Sequence, residues 1–196
     1  MKAYVFYTDP ILECVELLEK SCEHLDDLEI VRVPGDTHEN SDLAGQTGSN
    51  DYMVLMTSRW QKLPNIIKEN MGDNILFIDA DIIFNDNKKD FVKNINLFLE
   101  DNDLVTQYDN NNHMSLRINM GFLGIKCNEK NFNMFLTFTN KMPEMDWRGG
   151  YPQLQFNDYL KDDEQGRQIK FKILPEDSYG FKKTNDCYFY HAINVG

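Results

Sequence analysis

The sequence predicts an α/β fold with a mixed, mostly parallel central sheet and helices on both faces. Segments rich in aromatic and β-branched residues alternate with segments whose apolar residues recur at helical spacing, and the early order is β-α-β-α-β. The chain has 196 residues, of which 41% are hydrophobic, so it can bury one substantial core. We therefore expect residues 1–196 to form a single domain.

The individual elements follow from local patterns. Apolar runs rich in β-branched and aromatic residues predict strands at 3–8, 28–33, 75–78, 103–107 and 121–126. Helical spacing predicts helices at 11–22, 57–71, 88–100 and 129–141, with Thr57 or Ser58 as the cap of the second. The polar stretch 36–51 has little periodicity and is predicted to be a surface loop.

Composition restricts the classes of ligand and the location. The formal net charge of −12 argues against nucleic-acid and anionic-membrane surfaces, since phosphate backbones are bound by excess Lys and Arg. An anionic ligand would need a mediating cation, and a divalent metal held by carboxylates serves that purpose. The four cysteines form no C-x-x-C pair, and no apolar stretch reaches the roughly 20 residues of a membrane span. Because the N-terminus also lacks the apolar region of a signal peptide, we expect a cytoplasmic protein with no transmembrane segment.

Two acids mark the end of the most apolar predicted strand. Asp79 and Asp81 follow the run Ile75–Ile78, and in extended backbone both side chains face the same side. Ligands of parallel sheets bind beyond the carboxyl ends of the strands, which is where these acids fall. Carboxylates at this spacing suit Mg²⁺ or Mn²⁺, which complete their coordination with water and ligand phosphates. The alternative, that both acids only solvate a strand end, is disfavoured because apolar residues flank them on both sides.

Further motifs follow this D-x-D in a consistent order. The segment 119–122 reads N-M-G-F and is similar to an N-S-G-F motif, and 153–157 is similar to the latter part of D-Q-x-x-F-N. Later come an L-P pair at 174–175, an aromatic Y-G-F at 179–181, and His191 followed by alanine. With these motifs the chain resembles the nucleotide-diphospho-sugar transferases of the GT-A fold over most of its length.

The resemblance implies a metal site and a donor site. The ligands of Mn²⁺ or Mg²⁺ would be Asp79, Asp81 and His191. The residues that would contact a nucleotide-sugar donor are Tyr7, Thr8, Arg59, Lys62, Asp79, Asp109, Asn119 and Gln153. For His191 the alternative is a hydrogen-bonded structural role at the end of an aromatic strand, and for Arg59 it is a place on a helix surface.

The reaction is also implied by the resemblance. A sugar would pass from a nucleotide-diphosphate sugar, most commonly a UDP-sugar, to a hydroxyl of a glycan or glycoprotein acceptor. The chain is further similar to compact glycosyltransferases with which large DNA viruses decorate their capsid glycans, and such an enzyme would work in the host cytoplasm. An inverting enzyme needs a general base near the acceptor hydroxyl, for which Asp158 and Asp146 are the nearest candidates. The segment 147–151 is either an acceptor loop or a plain turn.

Two positions depart from the family pattern. Pro152 stands where the family has an Asp before the Gln, which leaves the stereochemical outcome open. The Lys that follows the late His in the family would lie beyond Gly196. Either the chain is the N-terminal part of a longer one, or Arg59 and Lys62 alone neutralise the diphosphate.

Three other functions stay open at this point. A haloacid-dehalogenase-like phosphatase would use Asp79 as its nucleophile and Asp81 as its general acid, but its motif normally lies on the first strand with Thr or Val in place of Ile83. A nucleotidyltransferase would share the fold, but no Gly-rich phosphate-binding signature lies near Thr8. A non-catalytic module that binds a nucleotide sugar or a cation is compatible with the sequence, because no clear catalytic base is evident.

Overall fold

A computed structural model describes residues 1–35, 50–86, 88–109, 115–142 and 152–191. The strands in these ranges are β1 (Lys2–Tyr7), β2 (Glu29–Pro34), β3 (Asn74–Ile78), β4 (Ile82–Phe84), β5 (Leu104–Tyr108), β6 (Ile118–Lys126), β7 (Phe171–Ile173), β8 (Tyr179–Gly180) and β9 (Phe189–His191). The α-helices are α1 (Leu12–Cys22), α2 (Asn50–Glu69), α3 (Phe91–Asp101), α4 (Glu129–Lys141) and α5 (Pro152–Asp162). Short 3₁₀ helices lie at Asp9–Ile11 and Gly166–Gln168.

The central sheet has six strands in the order β2-β1-β3-β6-β5-β7. β1 is parallel to β2 and to β3, and β5 is parallel to β7. β6 is antiparallel to both of its neighbours, β3 and β5, so it alone among the six runs in the opposite direction. The predicted mixed, mostly parallel sheet is confirmed.

Helices cover both faces of this sheet, as predicted. Side chains alternate between the faces along each strand, so Tyr4 and Phe6 of β1 join one apolar core while Ala3 and Val5 join the other. The first core is completed by α2, α4 and α5, and the second by α1 and α3.

A second sheet of three strands, in the order β4-β9-β8, lies over the second core. β4 is antiparallel to β9, with Ile82 opposite His191 and Phe84 opposite Phe189. Phe189 stacks on Phe122 of the central sheet, with their ring centroids 4.5 Å apart. This small sheet therefore fixes the late part of the chain against β6.

The start of α2 differs from the prediction. The helix begins at Asn50, so Thr57 and Ser58 lie inside it and neither is its cap. Residues 50–56 contain no Gly or Pro that would stop a helix, so the chain continues it upstream of the predicted cap. The rest of the predicted loop, residues 36–49, lies outside the described residues. The short strands β4, β7 and β8 were not predicted, because segments of two or three strand residues carry too little periodicity to read. No bounds were predicted for the helix α5 either.

The cysteines are unpaired, as expected from their spacing. All four are free thiols. Burial raises the pKa of Cys22 to about 11 and that of Cys127 to about 12, so both thiols are protonated at neutral pH. Among the described helices, none is long and apolar enough to cross a membrane.

Asn131, in the first turn of α4, ties that helix to the central sheet. Its side chain is fully buried, and its Nδ2 donates to the carbonyl oxygens of Asp103 at 2.9 Å and Lys126 at 2.7 Å. The backbone N–H of Asn131 donates to Oδ1 of Asn128, the helix cap, at 2.8 Å. These bonds lie where β5 begins and β6 ends, at the amino edge of the parallel strands.

Replacing this amide should destabilise the fold. We predict that Asn131→Ala lowers the free energy of unfolding by about 1 to 3 kcal/mol, because two buried carbonyl groups lose a donor. Urea denaturation followed by circular dichroism measures this change. Asn133→Ala, at an exposed position of the same helix, is the matched control and should change stability by no more than about 0.5 kcal/mol. Equal effects of the two substitutions would contradict the role assigned to Asn131.

Candidate active site

The candidate site lies at the carboxyl edge of the parallel strands. β3 ends directly before Asp79, and β5 ends directly before Asp109. Because β6 runs in the opposite direction, its first residues lie at the same edge, and they include Asn119 and Gly121. Open α/β sheets bind their ligands at this edge.

Asp79, Asp81 and His191 form a cluster there. Each offers one ligand atom, and these atoms lie within 4.8 Å of one another. Nε2 of His191 lies 2.8 Å from Oδ1 of Asp81 and 3.6 Å from Oδ2 of Asp79. The antiparallel pairing of Ile82 with His191 explains this geometry, since Asp81 directly precedes Ile82. It brings together residues that are 110 positions apart in the chain.

Arg59 of α2 neutralises Asp79. Nη1 of Arg59 donates to Oδ1 of Asp79, and the guanidinium carbon lies 4.5 Å from the ring centroid of Phe77. Burial raises the pKa of Asp79, but the charges of Arg59 and His191 and the hydrogen bond from Arg59 outweigh it and hold the pKa below its ordinary value. Asp79 is therefore ionised at neutral pH. Nε and Nη2 of Arg59 are buried and have no partner among the described residues.

His191 is buried between two carboxylates. Burial lowers its pKa, but the hydrogen bond to Asp81 and the charges of Asp81 and Asp79 outweigh burial and raise the pKa above its ordinary value. Without a cation, a proton on the imidazole therefore offsets the negative charge of the cluster. A divalent cation bound by the same three side chains would displace that proton.

Two further side chains hold the imidazole of His191. Oε1 of Gln107, on β5, lies 3.3 Å from Nδ1. The ring of Phe181 stacks on the imidazole, with centroids 5.6 Å apart and planes inclined by 16°. The ring is therefore fixed both in its plane and at the nitrogen that faces away from the carboxylates.

Gly121 provides the space that the cluster occupies. The backbone N–H of Asp79 donates to the carbonyl oxygen of Gly121 at 2.7 Å, so the two residues lie side by side. A Cβ atom at position 121 would meet Oδ2 of Asp79 and Cε1 of His191 at 2.5 Å each, and Oδ1 of Asn119 at 2.9 Å. No side chain fits there unless Asp79, His191 and Asn119 move.

A polar network lies beside the cluster. Oδ2 of Asp109 accepts hydrogen bonds from Nδ2 of Asn119 at 3.0 Å and from Nε2 of Gln153 at 2.8 Å. The remaining amide oxygens are also used: the N–H of Gly121 donates to Asn119, and the N–H of Met120 donates to Gln153. Three of the predicted donor-binding residues are thus brought together and held in fixed orientations.

A cavity of about 190 Å³ opens between Arg59 and this network. It is lined by Met56, Arg59, Trp60, Asp79, Met120, Gly121, Pro152 and Gln153. Pro152, which replaces the acid of the family motif, therefore presents an apolar ring at the cavity wall. A wider groove of about 800 Å³ lies at the amino edge around Met1 and Leu97, away from all of these groups.

Other predicted site residues lie outside the cluster. Thr8 follows β1, is buried, and its Oγ1 has no partner among the described residues, while Tyr7 is the last residue of β1. Nζ of Lys62 donates to the carbonyl oxygen of Pro34 at 3.0 Å. Asp158 is exposed on α5 and accepts a hydrogen bond from Oγ of Ser115 at 3.3 Å. Asp146 and the segment 147–151 lie outside the described residues.

Sequence reasoning missed Gln107 and the contact of Phe181 with His191. Gln107 belongs to a strand whose register against β6 shifts between Thr106 and Gln107, and such irregularities are frequent beside active sites. The signal that could have found Gln107 is an amide side chain in a strand whose other residues are Leu, Val, Thr and Tyr, all typical of strands. Phe181 was noted only as part of an aromatic motif, and its stacking depends on the second sheet.

Comparison with known proteins agrees with this architecture. A family model described as nucleotide-diphospho-sugar transferase matches residues 17–194. A glycosyltransferase involved in the glycosylation of the major capsid of PBCV-1 is similar in structure, with a TM-score of 0.65 and 14% identity over 99% of this chain and 94% of that chain. The galactosyltransferase LgtC, in complex with donor and acceptor sugar analogs, gives a TM-score of 0.58 at 14% identity over 91% of this chain and 75% of that one.

Mouse xyloside xylosyltransferase 1, in its apo form, gives a TM-score of 0.56 at 8% identity and covers 98% of each chain. No curated protein sequence matches significantly. The solved structures share the fold, and the family match spans most of the chain. The protein therefore belongs to the nucleotide-diphospho-sugar transferase family and is a glycosyltransferase with the GT-A fold.

Proposed function

We propose that this enzyme transfers a sugar from a UDP-sugar to a hydroxyl of a glycan or glycoprotein acceptor, with a divalent cation held by Asp79, Asp81 and His191. The observation that carries the proposal is the convergence of these three ligand atoms within 4.8 Å, at the strand edge beside a cavity that Arg59 and Gln153 help to line. Family membership argues against the phosphatase, which would use Asp79 as a nucleophile.

The chemistry of the ligand set favours Mn²⁺ over Mg²⁺. Mg²⁺ binds almost exclusively to oxygen ligands, whereas transition metals such as Mn²⁺ also accept the imidazole nitrogen of a histidine. Two carboxylates and a neutral imidazole carry a charge of −2, which balances a divalent cation. The side chain missing at Gly121 leaves the space in which Asp79 and His191 approach each other.

Arg59 would bind the donor together with the cation. Two of its guanidinium nitrogens are buried without partners among the described residues, and the side chain lines the cavity. Such donors suit the oxygens of a diphosphate or of a sugar. Lys62, one helical turn further along α2, would add positive charge, and Tyr7 and Thr8 would approach the nucleobase at the end of β1.

The cavity would hold the sugar. At about 190 Å³ it is smaller than the clefts of roughly 300 Å³ or more that hold drug-sized ligands, so it suits a single ring. Gln153 lines the cavity, and Asp109 accepts hydrogen bonds from Gln153 and Asn119, so these side chains are already fixed. Polar groups that are ordered before the ligand arrives contribute more to binding, because no side-chain entropy is lost at that step.

In the proposed reaction, the acceptor hydroxyl attacks the anomeric carbon and the nucleoside diphosphate leaves. A divalent cation would stabilise the charge that develops on the leaving group. For an inverting outcome, Asp158 and Asp146 are the candidates for the general base. A structural neighbour of this chain is involved in the glycosylation of the major capsid of PBCV-1, which is the reason for proposing a glycoprotein acceptor.

The first test is nucleotide binding with and without metal. We predict that UDP with Mn²⁺, at about 100 times its dissociation constant, stabilises the native protein by roughly 2.7 kcal/mol, visible as a rise in Tm. Asp81→Asn should abolish this rise, because it removes a charged ligand while keeping the shape of the side chain. Asp86→Asn, at an exposed carboxylate beyond β4, is the control and should respond like the unaltered protein.

Three results would count against the proposal. One is stabilisation by UDP that is equal with and without Mn²⁺, and another is an unchanged response of Asp81→Asn. The third is the absence of any response to UDP, in which case the same measurement with GDP, ADP and CMP identifies another nucleotide.

Gly121 offers a second test, in which none of the proposed ligand residues is replaced. Gly121→Ala should weaken Mn²⁺ binding by at least about tenfold, since the added methyl group displaces Asp79 or His191 and misplaced ligands cost metal affinity. Gly124→Ala on the same strand is the control, because its Cβ would meet Cγ2 of Ile95 at 3.3 Å, in the core, and no residue of the cluster. Titration of free Mn²⁺ by electron paramagnetic resonance measures both. An equal affinity in the two variants would contradict the placement of the metal at this cluster.

A further inference from the structure

We propose that Gln107 is a positioning residue for the metal site: its amide oxygen accepts the Nδ1 proton of His191 and thereby directs the Nε2 lone pair at the cation. This inference rests on the proposed function, because it concerns the same cluster. It adds a residue that acts through His191 and does not itself contact the cation.

The geometry of the imidazole defines the problem. Nε2 of His191 faces Asp81 at 2.8 Å and Asp79 at 3.6 Å, so Nε2 is the nitrogen able to share a cation with them. A neutral imidazole can bind a metal through Nε2 only as the tautomer that carries its proton on Nδ1. That proton then needs an acceptor inside the protein, because the side chain of His191 is only 7% exposed.

Gln107 supplies this acceptor. Its Oε1 lies 3.3 Å from Nδ1 of His191, and the residue is fully buried on β5. Nε2 of Gln107 has no partner among the described residues, so its bond to His191 is the polar contact that this amide makes there. A buried amide that is half satisfied costs stability, and a Leu or Met in this strand would avoid that cost. Packing alone therefore does not explain a Gln at position 107, whereas its hydrogen bond to His191 does.

The charge of the acceptor also matters. A neutral amide leaves the ligand set of two carboxylates and one imidazole at −2, which matches a divalent cation. A carboxylate in the place of Gln107 would accept the same proton but add a third negative charge within the cluster. Gln107→Glu therefore keeps the hydrogen bond, whereas Gln107→Leu removes it at nearly constant volume. Comparing these two variants therefore distinguishes the effect of the hydrogen bond on metal binding from the effect of side-chain volume.

The experiment is a Mn²⁺ titration of the whole chain by electron paramagnetic resonance, applied to the unaltered protein and to both Gln107 variants. We expect Gln107→Leu to weaken Mn²⁺ binding by about 10- to 100-fold, the usual cost of losing a partner of a metal ligand. Gln107→Glu should bind Mn²⁺ at least as tightly as the unaltered protein. Asn131→Ala, which removes a buried amide at the opposite edge of the sheet, is the control for general destabilisation and should keep its affinity.

A spectroscopic measurement reports the tautomer directly. In the protein loaded with diamagnetic Zn²⁺ and labelled with ¹⁵N-histidine, His191 should show a protonated Nδ1 and a metal-bound Nε2. Gln107→Leu should lose this single pattern. If Gln107→Leu and Asn131→Ala bind Mn²⁺ equally well, or if the Nδ1 signal is unchanged in Gln107→Leu, the inference is wrong. Failure of the unaltered protein to bind Mn²⁺ would overturn the proposed function instead, so the two failures are distinguishable.

Discussion

The site depends on the electrostatic cost of placing two carboxylates side by side at the end of a buried strand. Asp79 and Asp81 would repel each other strongly in a partly desolvated position unless opposite charge lay close to both. The protein supplies that charge from two sides: Arg59 pairs with Asp79, and His191 bonds to Asp81. Much of the surrounding structure serves to bring these two groups to the acids.

Each partner is held by a different part of the fold. Arg59 reaches the site from α2 and lies over Phe77 and Trp60, where the aromatic faces favour a cation. His191 comes from the far end of the chain, and it arrives only because β9 pairs with β4 directly after Asp81. Because Gly121 has no side chain, Asp79 can pair with Arg59 while His191 lies close by and bonds to Asp81. The cluster is therefore a product of tertiary structure, although its two acids are neighbours in sequence.

The carboxyl edge of the parallel strands, where the cluster lies, also holds most of the buried polar atoms that lack hydrogen-bond partners among the described residues. They include Oγ1 of Thr8, two nitrogens of Arg59, Nε1 of Trp60 and Nε2 of Gln107. Unsatisfied donors of this kind are costly in a native protein, and they are concentrated where ligands bind. By contrast, at the opposite edge Nδ2 of Asn131 donates to two backbone carbonyl groups and Oδ2 of Asp103 accepts from the backbone N–H of Lys170, although Oδ1 of Asn131 also lacks a partner among the described residues. The amino edge of the strands thus contributes mainly to stability, whereas the carboxyl edge presents polar atoms that a ligand could bond.

Features that depend on a short stretch of sequence could be predicted, whereas features that depend on contacts between distant segments could not. Asp79 and Asp81 were predictable because an apolar run followed by acids is a local pattern. The direction of β6 was not, because an apolar strand reads alike in a parallel and an antiparallel sheet. His191 and Arg59 entered only through resemblance to a family, since no local pattern links them to the acids. Gln107 and the space at Gly121 depend on which strands are neighbours, which the order β2-β1-β3-β6-β5-β7 determines and the sequence alone does not display.

The overall charge of the protein gives the proposed cation a further role. With a formal net charge of −12, the surface repels an anionic donor, and at the place where the diphosphate would lie Arg59 and the protonated His191 only balance the two acids. Arg59 cannot cancel this repulsion alone, because Asp79 already engages one of its nitrogens. A divalent cation that displaces the proton of His191 makes this neutral cluster net positive, while the remaining nitrogens of Arg59 stay available to the ligand. Under the proposed function, the cation therefore strengthens donor binding by adding positive charge beside the diphosphate, and from the same position it stabilises the leaving group.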